Sequence, residues 1–574
     1  MIALQHLWLI LQAGTTAIAP LDSSSLSGSG IACKGQAITR IDVHPRPPFE
    51  VRGSNLVKKA LRFATDLHVT TKDVIVRRFL ALKVGDECSE IRRAESERIL
   101  RAQPFLADAA VSAIPDGAGG IILDVTTVDE PSLILGGGIS AKSPHIRSVR
   151  LGESNLMGQA IYVSGEWRHA QNFRDVLRGK VTLYQFLGRP YQLAVWGGRR
   201  EIGSDIAMEA SHPFLTDLQK LSWRTTAGKE DGPFYFQRPN AEPVGLKFKR
   251  TYGDLGGVIR VGRPGSSVGL LGGSISHEVE DPAQLPFRIR DSVTVPDTSR
   301  ALINRYQRGR STRVNGLWGV RRVRYLRVAG FDALEGTQDL RLGSEVSTLL
   351  GKGVKTLGGA DDDIFVSTDV YLGFGSRSSF AALDFSSEGR KPREGDWDGV
   401  LTHGRGAIYL KPFPSHTFTA DATWSGGWNQ RVPFQLTLSD REGGLRGFHD
   451  SDIGGARRAV VRMEDRYRAG HLGSFAAVGL AGFVDMGKLW AGDVPFGMTS
   501  NLSIGAGVSL LAALPSQSRR MWRVDLAYPI RGETRRGWEV RFSNRDFTRI
   551  FRNEPRDISS SRERSVPSSI FNWP

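Results

Sequence analysis

From residue 131 to residue 551 apolar and polar residues alternate with a period of two. That alternation limits the fold more than any other feature of the chain. Ile364, Val366, Thr368, Val370, Leu372 and Phe374 fall on one face of an extended segment, while Ser367, Asp369 and Gly373 fall on the other. Trp522, Val524, Leu526 and Tyr528 alternate with Arg523, Asp525 and Ala527. Trp538, Val540 and Phe542 alternate with Glu539, Arg541 and Ser543. Successive side chains of a β-strand point to opposite faces. A soluble sandwich alternates too, but it rarely sets Arg, Asp and Glu repeatedly opposite Trp, Tyr and Phe. A membrane barrel does, with apolar groups toward lipid and charges toward a wet lumen.

Spanning strands take about 9–11 residues. Sixteen of them plus turns fit between 131 and 551, although periodicity alone does not fix the count. The expectation is a mostly β protein whose largest part is a 16-stranded transmembrane antiparallel β-barrel, closed so that no unpaired edge remains. Glycine supplies 66 of 574 residues, against about 7% in average usage. This fits tight turns and kinked strands such as Gly136-Gly137-Gly138 and Gly505-Ala506-Gly507.

Composition removes other classes. Mean hydropathy is −0.24, and no uninterrupted apolar run of about 18 residues follows the N-terminus, which excludes a polytopic helical membrane protein. The net charge of +16 suits a nucleic-acid binder, a membrane-surface protein or a polar barrel interior. Arginine is dispersed along the whole chain rather than clustered, so no nucleic-acid partner is expected. Two cysteines, Cys33 and Cys88, exclude a disulfide-dense scaffold and a multi-cysteine zinc site. In an exported compartment they can form one disulfide or stay as two free thiols.

Residues 1–19 read as a signal peptide. An apolar stretch opens at Leu7-Trp8-Leu9-Ile10-Leu11, and Ala17-Ile18-Ala19 satisfies the small-x-small cleavage rule. No Lys or Arg precedes Leu7, and Pro20 follows the cut. A buried or frayed segment, or a start codon set too late, are the competing readings. Residues 20–36 read as a flexible linker, Ser- and Gly-rich from Asp22 to Gly30. Gly30-Ile31-Ala32 before Cys33 makes a poor lipobox, so lipidation is not expected.

Residues 37–130 read as a small α+β module of order β-α-α-β-β. Ala37–His44 alternates as a strand. Thr70-x-x-Asp73 resembles a capping box ahead of a helix carrying Val74, Ile75, Phe79 and Leu80. A second helix runs from about Ser89 to Gln103, with Glu97 and Arg101 paired at i,i+4. Ala107–Ile114 and Ile121–Val128 are strands joined by the turn Pro115-Asp116-Gly117. The Pro-broken stretch 46–69, with a helical turn at Lys58–Phe63, has no assigned role.

That order, with LKVGDECSEIRRAESERILRAQPFLADAAV across residues 82–111, resembles a POTRA domain of the BamA/TamA-like outer-membrane assembly family. Leu445-Arg446-Gly447-Phe448, after Gly443-Gly444, is similar to the (V/L)RG(F/Y) signature of that family's sixth extracellular loop. Met463-Glu464-Asp465-Arg466-Tyr467, Phe483-Val484-Asp485-Met486-Gly487, Ser503–Gly507 and Arg523–Pro529 follow in family order. Gly152-Glu153-Ser154-Asn155-Leu156-Met157-Gly158 resembles the G-x-x-N-L-x-G turn early in these barrels. The resemblance runs from about residue 37 to residue 551.

The resemblance implies that Arg446, on a loop folded into the lumen, engages Glu464 and Asp485. Arg466 shares the inward strand face with Glu464, Gly447 supplies the turn and Phe448 packs the tip. It implies an outer-membrane location with the N-terminal domain in the periplasm, and a barrel that inserts or translocates polypeptides. Its partners would be membrane lipid, unfolded outer-membrane or secreted protein clients, and periplasmic chaperones or accessory subunits. The alternatives are a two-partner secretion pore, or a passive channel or surface anchor of the same fold. Two departures stand out. Asp465 would face lipid unless it lies near the interface. A Ser- and Arg-rich tail, 552–574, follows the last strand, with Phe571 and Trp573 as a displaced version of the usual aromatic end.

No Walker A loop, H-E-x-x-H or G-x-S-x-G occurs. The histidines show no metal-ligand spacing, and neither enzyme activity, metal nor cofactor is expected. Asp361-Asp362-Asp363 reads as a solvated loop rather than a cation site.

Overall fold

A computed structural model describes residues 30–49, 68–139, 146–170, 173–264, 267–290, 293–440, 443–449, 451–472, 476–534, 537–546 and 554–562. The expected signal peptide, most of the linker, Lys58–Phe63, Phe571 and Trp573 lie outside them.

The N-terminal module contains β1 (Lys34–Arg46), α1 (Asp73–Arg78), β2 (Glu87–Ser89), α2 (Glu90–Arg101), β3 (Leu106–Pro115) and β4 (Ile121–Asp129). Its sheet order is β2-β1-β4-β3, with β1 and β4 parallel and the other pairs antiparallel. Ile38, Ile41 and Val43 of β1 meet Ile75 and Val76 of α1, Ile99 and Leu100 of α2, and Leu123 and Val125 of β4 in one buried core. Two local expectations change. The linker ends earlier, because β1 already starts at Lys34. The capping box does not form: Lys72 is the N-cap residue and makes no side-chain cap bond. Thr71 instead gives its backbone N–H and hydroxyl to the buried Asp129 carboxylate, at 2.8 Å each. Cys33 and Cys88 are joined, which ties the chain ahead of β1 to β2.

The rest of the described chain forms a closed antiparallel ladder from Leu133–Ile139 to Glu539–Asp546, where the last strand neighbours the first. Two short strands, Phe287–Arg290 and Val293–Pro296, make a rim hairpin; the ladder passes them, since Val268–Pro282 pairs directly with Gly309–Ala329. Twenty staves remain, not the expected sixteen. Alternation marks which residues are extended but not where a strand turns back, and strands here reach 21 residues in Ala241–Val261 and Gly309–Ala329.

The inside–outside reading holds residue by residue. Ile364 and Phe374 are exposed on the outer face while Asp363, Phe365 and Ser367 are buried. Arg523, Asp525 and Ala527 are buried between exposed Val524 and Leu526. Leu255, Ile259, Leu271, Ile275, Trp318 and Ile408 belong to an apolar outer surface that requires lipid cover. No helix among the described residues is long and apolar enough to cross a membrane.

The module sits on the barrel rim nearest to it. Asn155 Nδ2 donates to Thr71 Oγ1 at 2.8 Å, and the Lys72 N–H to the Gly158 carbonyl at 3.1 Å. Gly158 has φ +68°, and a Cβ there would fall 2.3 Å from the Thr70 carbonyl oxygen. The G-x-x-N-L-x-G turn is therefore the seat of the module. Arg98 donates to the Leu215 carbonyl and stacks on Tyr325, Arg101 pairs with Asp339 at 2.9 Å, and Arg327 and Thr337 donate to Asp108. On the hairpin before the last two strands, Arg519 donates to the carbonyls of Arg101, Gln103 and Leu106. These turns are spaced around the rim, so the module lies across this mouth.

Candidate functional site: a charge clamp in the lumen

Three neighbouring strands, Arg457–Leu472, Ala476–Trp490 and Ser503–Ala513, build one wall of the site, and Arg520–Arg531 adds a fourth. Glu464 and Asp485 lie on inward positions of the first two and are buried to 6% and 0% exposure. The loop between Trp428 and Arg457 folds down into the lumen, so its tip reaches them. Its descent is fixed by a two-residue ladder, Leu436–Thr437 with Gly454–Gly455, and by Arg462, which donates to the Gly443 and Gly444 carbonyls at 2.7 Å each.

At the tip Arg446 donates from each of its four nitrogens. Nε and Nη2 donate to the two oxygens of Asp485 at 2.8 and 2.6 Å, and the backbone N–H adds a third bond at 3.1 Å. Nη1 donates to Glu464 Oε2 at 2.6 Å. The guanidinium plane lies 3.5 Å from the Phe483 ring centroid. Leu445 and Phe448 are buried on either side, and Gly447 turns the tip at φ +88°.

The structure thus brings together all of the sequence-derived group: Leu445, Arg446, Gly447, Phe448, Glu464, Arg466 and Asp485. Arg466 Nε donates to Glu464 Oε1 at 2.6 Å, and its Nη1 reaches back to the Phe331 carbonyl on a rim turn. Asp465 points outward and is exposed, but it pairs with His416 at the first residue of the neighbouring strand. It therefore lies at the barrel end rather than mid-membrane.

Two charges were missed. Arg523 grips Glu464 with both terminal nitrogens, at 2.9 and 2.7 Å, and its Nε turns to Asp525. Ser509 bridges them, accepting from Arg523 and donating to Asp525 at 2.6 Å each. Period two already placed both inward; what the sequence does not carry is which inward residues of separate strands face each other. With them the site balances three guanidiniums, of Arg446, Arg466 and Arg523, against three carboxylates, of Glu464, Asp485 and Asp525. Buried charges are tolerable only when so paired. The acidic run at 361–363 is also paired rather than solvated: Asp361 with Arg390 and Arg431, Asp362 with Lys352, and buried Asp363 with Arg313.

The clamp reaches the last strand through the loop flanks. The His449 N–H donates to Glu539 at 3.3 Å, and Arg541 donates to Asp440 at 2.9 Å. Loop position is thereby coupled to the strand that closes the ladder.

No family model matches the chain, and no curated protein matches it. Among solved structures it is similar to BamA from Haemophilus ducreyi lacking POTRA domains 1–3, at 14% identity and TM-score 0.38, over 89% of this chain and 84% of that one. It is similar to CdiB from Escherichia coli at 12% identity and TM-score 0.38, over 94% and 97% of the two chains. It is also similar to CdiB from Acinetobacter baumannii at 10% identity and TM-score 0.35, over 94% and 96%.

Proposed function

We propose that this chain belongs to the BamA/TamA-like outer-membrane assembly family and inserts or translocates polypeptides at the outer membrane. The observation that carries this reading is the clamp: a loop tip held in the lumen by Arg446, Glu464 and Asp485, with flanks bonded to the last strand. In this reading the N-terminal module is a periplasmic POTRA domain, and clients pass or insert where the first and last strands meet. Client capture proceeds by strand addition to a sheet edge. On β3 that edge is partly taken, since the Val111 carbonyl accepts from Arg93 and the Ala113 carbonyl from the Ile31 N–H. The β2 edge is then the one offered to clients.

A second reading is the two-partner secretion pore. Both are tested by reconstituting the purified chain in liposomes and scoring client folding and ion conductance together. Insertion of an unfolded barrel client, lost in Arg446→Ala, supports assembly. Passage of a secreted partner, with conductance, supports the pore. Conductance with neither client activity leaves a passive channel and overturns both.

A further inference from the structure

The last strand runs toward the module: Asp546 pairs with Arg520, beside the rim turn that holds Arg519. Yet residues 554–562 stand inside the lumen, on the far side of the clamp. They include a short helix, α3 (Arg556–Ser561). Its Asp557 accepts from both terminal nitrogens of Arg458, at 2.6 and 3.0 Å, where the two side chains are 8% and 1% exposed. Ile558 is fully buried in one cluster with Leu438, Leu445 and Phe448 of the folded-in loop and with Leu401, Val460 and Leu489 of the wall. Pro555 lies against Gly443. At the other end, Arg562 donates to Glu388 at 2.8 Å, to Glu554 at 2.6 Å and to Ser386, and Arg250 donates to the Ser560 carbonyl at 3.3 Å. The segment therefore spans the lumen from the clamp loop to the strands carrying Glu388 and Arg250.

Three matched contacts, acid to Arg458, aliphatic to a dry notch, and base to Glu388, amount to a peptide-recognition site. A solvated tail has no reason to bury an aspartate, an isoleucine and an arginine at once, because the charges lose hydration unless each meets a partner.

We propose that the lumen carries a peptide-binding site whose resident ligand is the chain's own C-terminal segment, residues 554–562, and that its occupancy keeps the conduit shut. Release of the segment frees the lumen and removes the Ile558 and Pro555 contacts that press on the clamp loop. This goes beyond the insertion-or-secretion reading and rests on it only in taking the lumen as a path.

The test uses planar bilayers and needs no client. The full chain and a variant ending at residue 551 are compared, with folding of each checked by heat-modifiable gel migration. Truncation should raise conductance, and a synthetic peptide of residues 554–562 added in trans should close it again. The same peptide with Asp557→Arg should not. Arg458→Ala in the truncated barrel should weaken block by roughly 100-fold or more, the ratio that corresponds to breaking a buried pair. Unchanged conductance on truncation, or a folded truncated barrel blind to the peptide, overturns the proposal. Should the truncated chain fail to fold, the full chain with Asp557→Arg decides. It should conduct where wild type is shut, because two like charges then meet at Arg458. Conductance equal to wild type overturns the proposal. Failure of client insertion with this gating intact would instead strike the assembly reading alone.

Discussion

Arg446 and Gly505 touch through their backbones: a Cβ built on Gly505 falls 2.4 Å from the Arg446 carbonyl oxygen. The strand Ser503–Ala513 has given up a side chain there so that the loop tip can lie on the wall. Gly505→Ala should push the tip off its seat, at about 1–3 kcal/mol for inserting a methyl group into a packed contact. Protease access to residues 443–455 in detergent-solubilised protein should rise, while heat-modifiable migration stays that of a folded barrel. Access equal to wild type would mean that the tip does not rest where Gly505 places it.

Arg446→Ala strips Asp485 of two side-chain hydrogen bonds and Glu464 of one, and leaves only the backbone N–H on Asp485. Breaking a buried pair by removing one member costs roughly 3–5 kcal/mol. Glu464 keeps Arg466 and Arg523, so Asp485 carries most of the loss. Asp485→Asn should therefore resemble Arg446→Ala in loop release and in client insertion. The double variant should cost less than the two single changes added together, because both act on one network. A double-mutant cycle on loop protease access measures this. Strict additivity would show that the two side chains do not act together.

The parts of this site that were legible in the sequence are those that period two and local motif order encode. Glu464 and Arg466 share a face by counting alone, whereas the loop tip and its partner Asp485 were legible through the resemblance of their motifs to the family's. Arg523 and Asp525 fall inward by the same count, but their contact with Glu464 depends on register across intervening strands, which no local pattern states. The Arg519 anchor of the module was illegible for another reason. Arg519 is recognised by three backbone carbonyls, and carbonyls leave no mark in a sequence. The strand number failed because rim turns between long alternating runs carry weak signals. The tail read as a departure, since six helical residues are too few for a periodicity to show.

Asp108 of β3 gives a pH-dependent test of docking. Burial pushes its carboxyl above the ordinary aspartate range, against the pull of Arg327 and Arg101. A raised carboxyl pKa means that the folded, docked state holds its proton more tightly than the unfolded chain. The stability it contributes is thus full below the ordinary value of about 4 and falls as pH climbs to the raised value. Asp108→Asn cannot ionise and should lack that decline while keeping an acceptor for Thr337. Urea titration of the module by pulse proteolysis across this window should show wild type losing ground to the variant as pH rises. Parallel curves would mean that Asp108 ionises as freely when docked as when unfolded.

The Cys33–Cys88 bond gives the last prediction. It closes a loop of 55 residues in sequence, and among the described residues no free cysteine remains. Thiol counting on denatured, unreduced protein should accordingly find none. By chain entropy, a loop of that length stabilises the folded module by about 4 kcal/mol. The bond also holds the chain just before β1 in place, where the Ile31 N–H covers the Ala113 carbonyl on the β3 edge. Cys33→Ser with Cys88→Ser should therefore have two effects. The urea midpoint of the module should drop, and hydrogen exchange along β3 should quicken at its outer edge, while β4, paired on both sides, keeps its protection. A lowered midpoint with unchanged exchange at the β3 edge would separate the two. The bridge would then act on the unfolded chain alone, and the leading segment would hold its place without it.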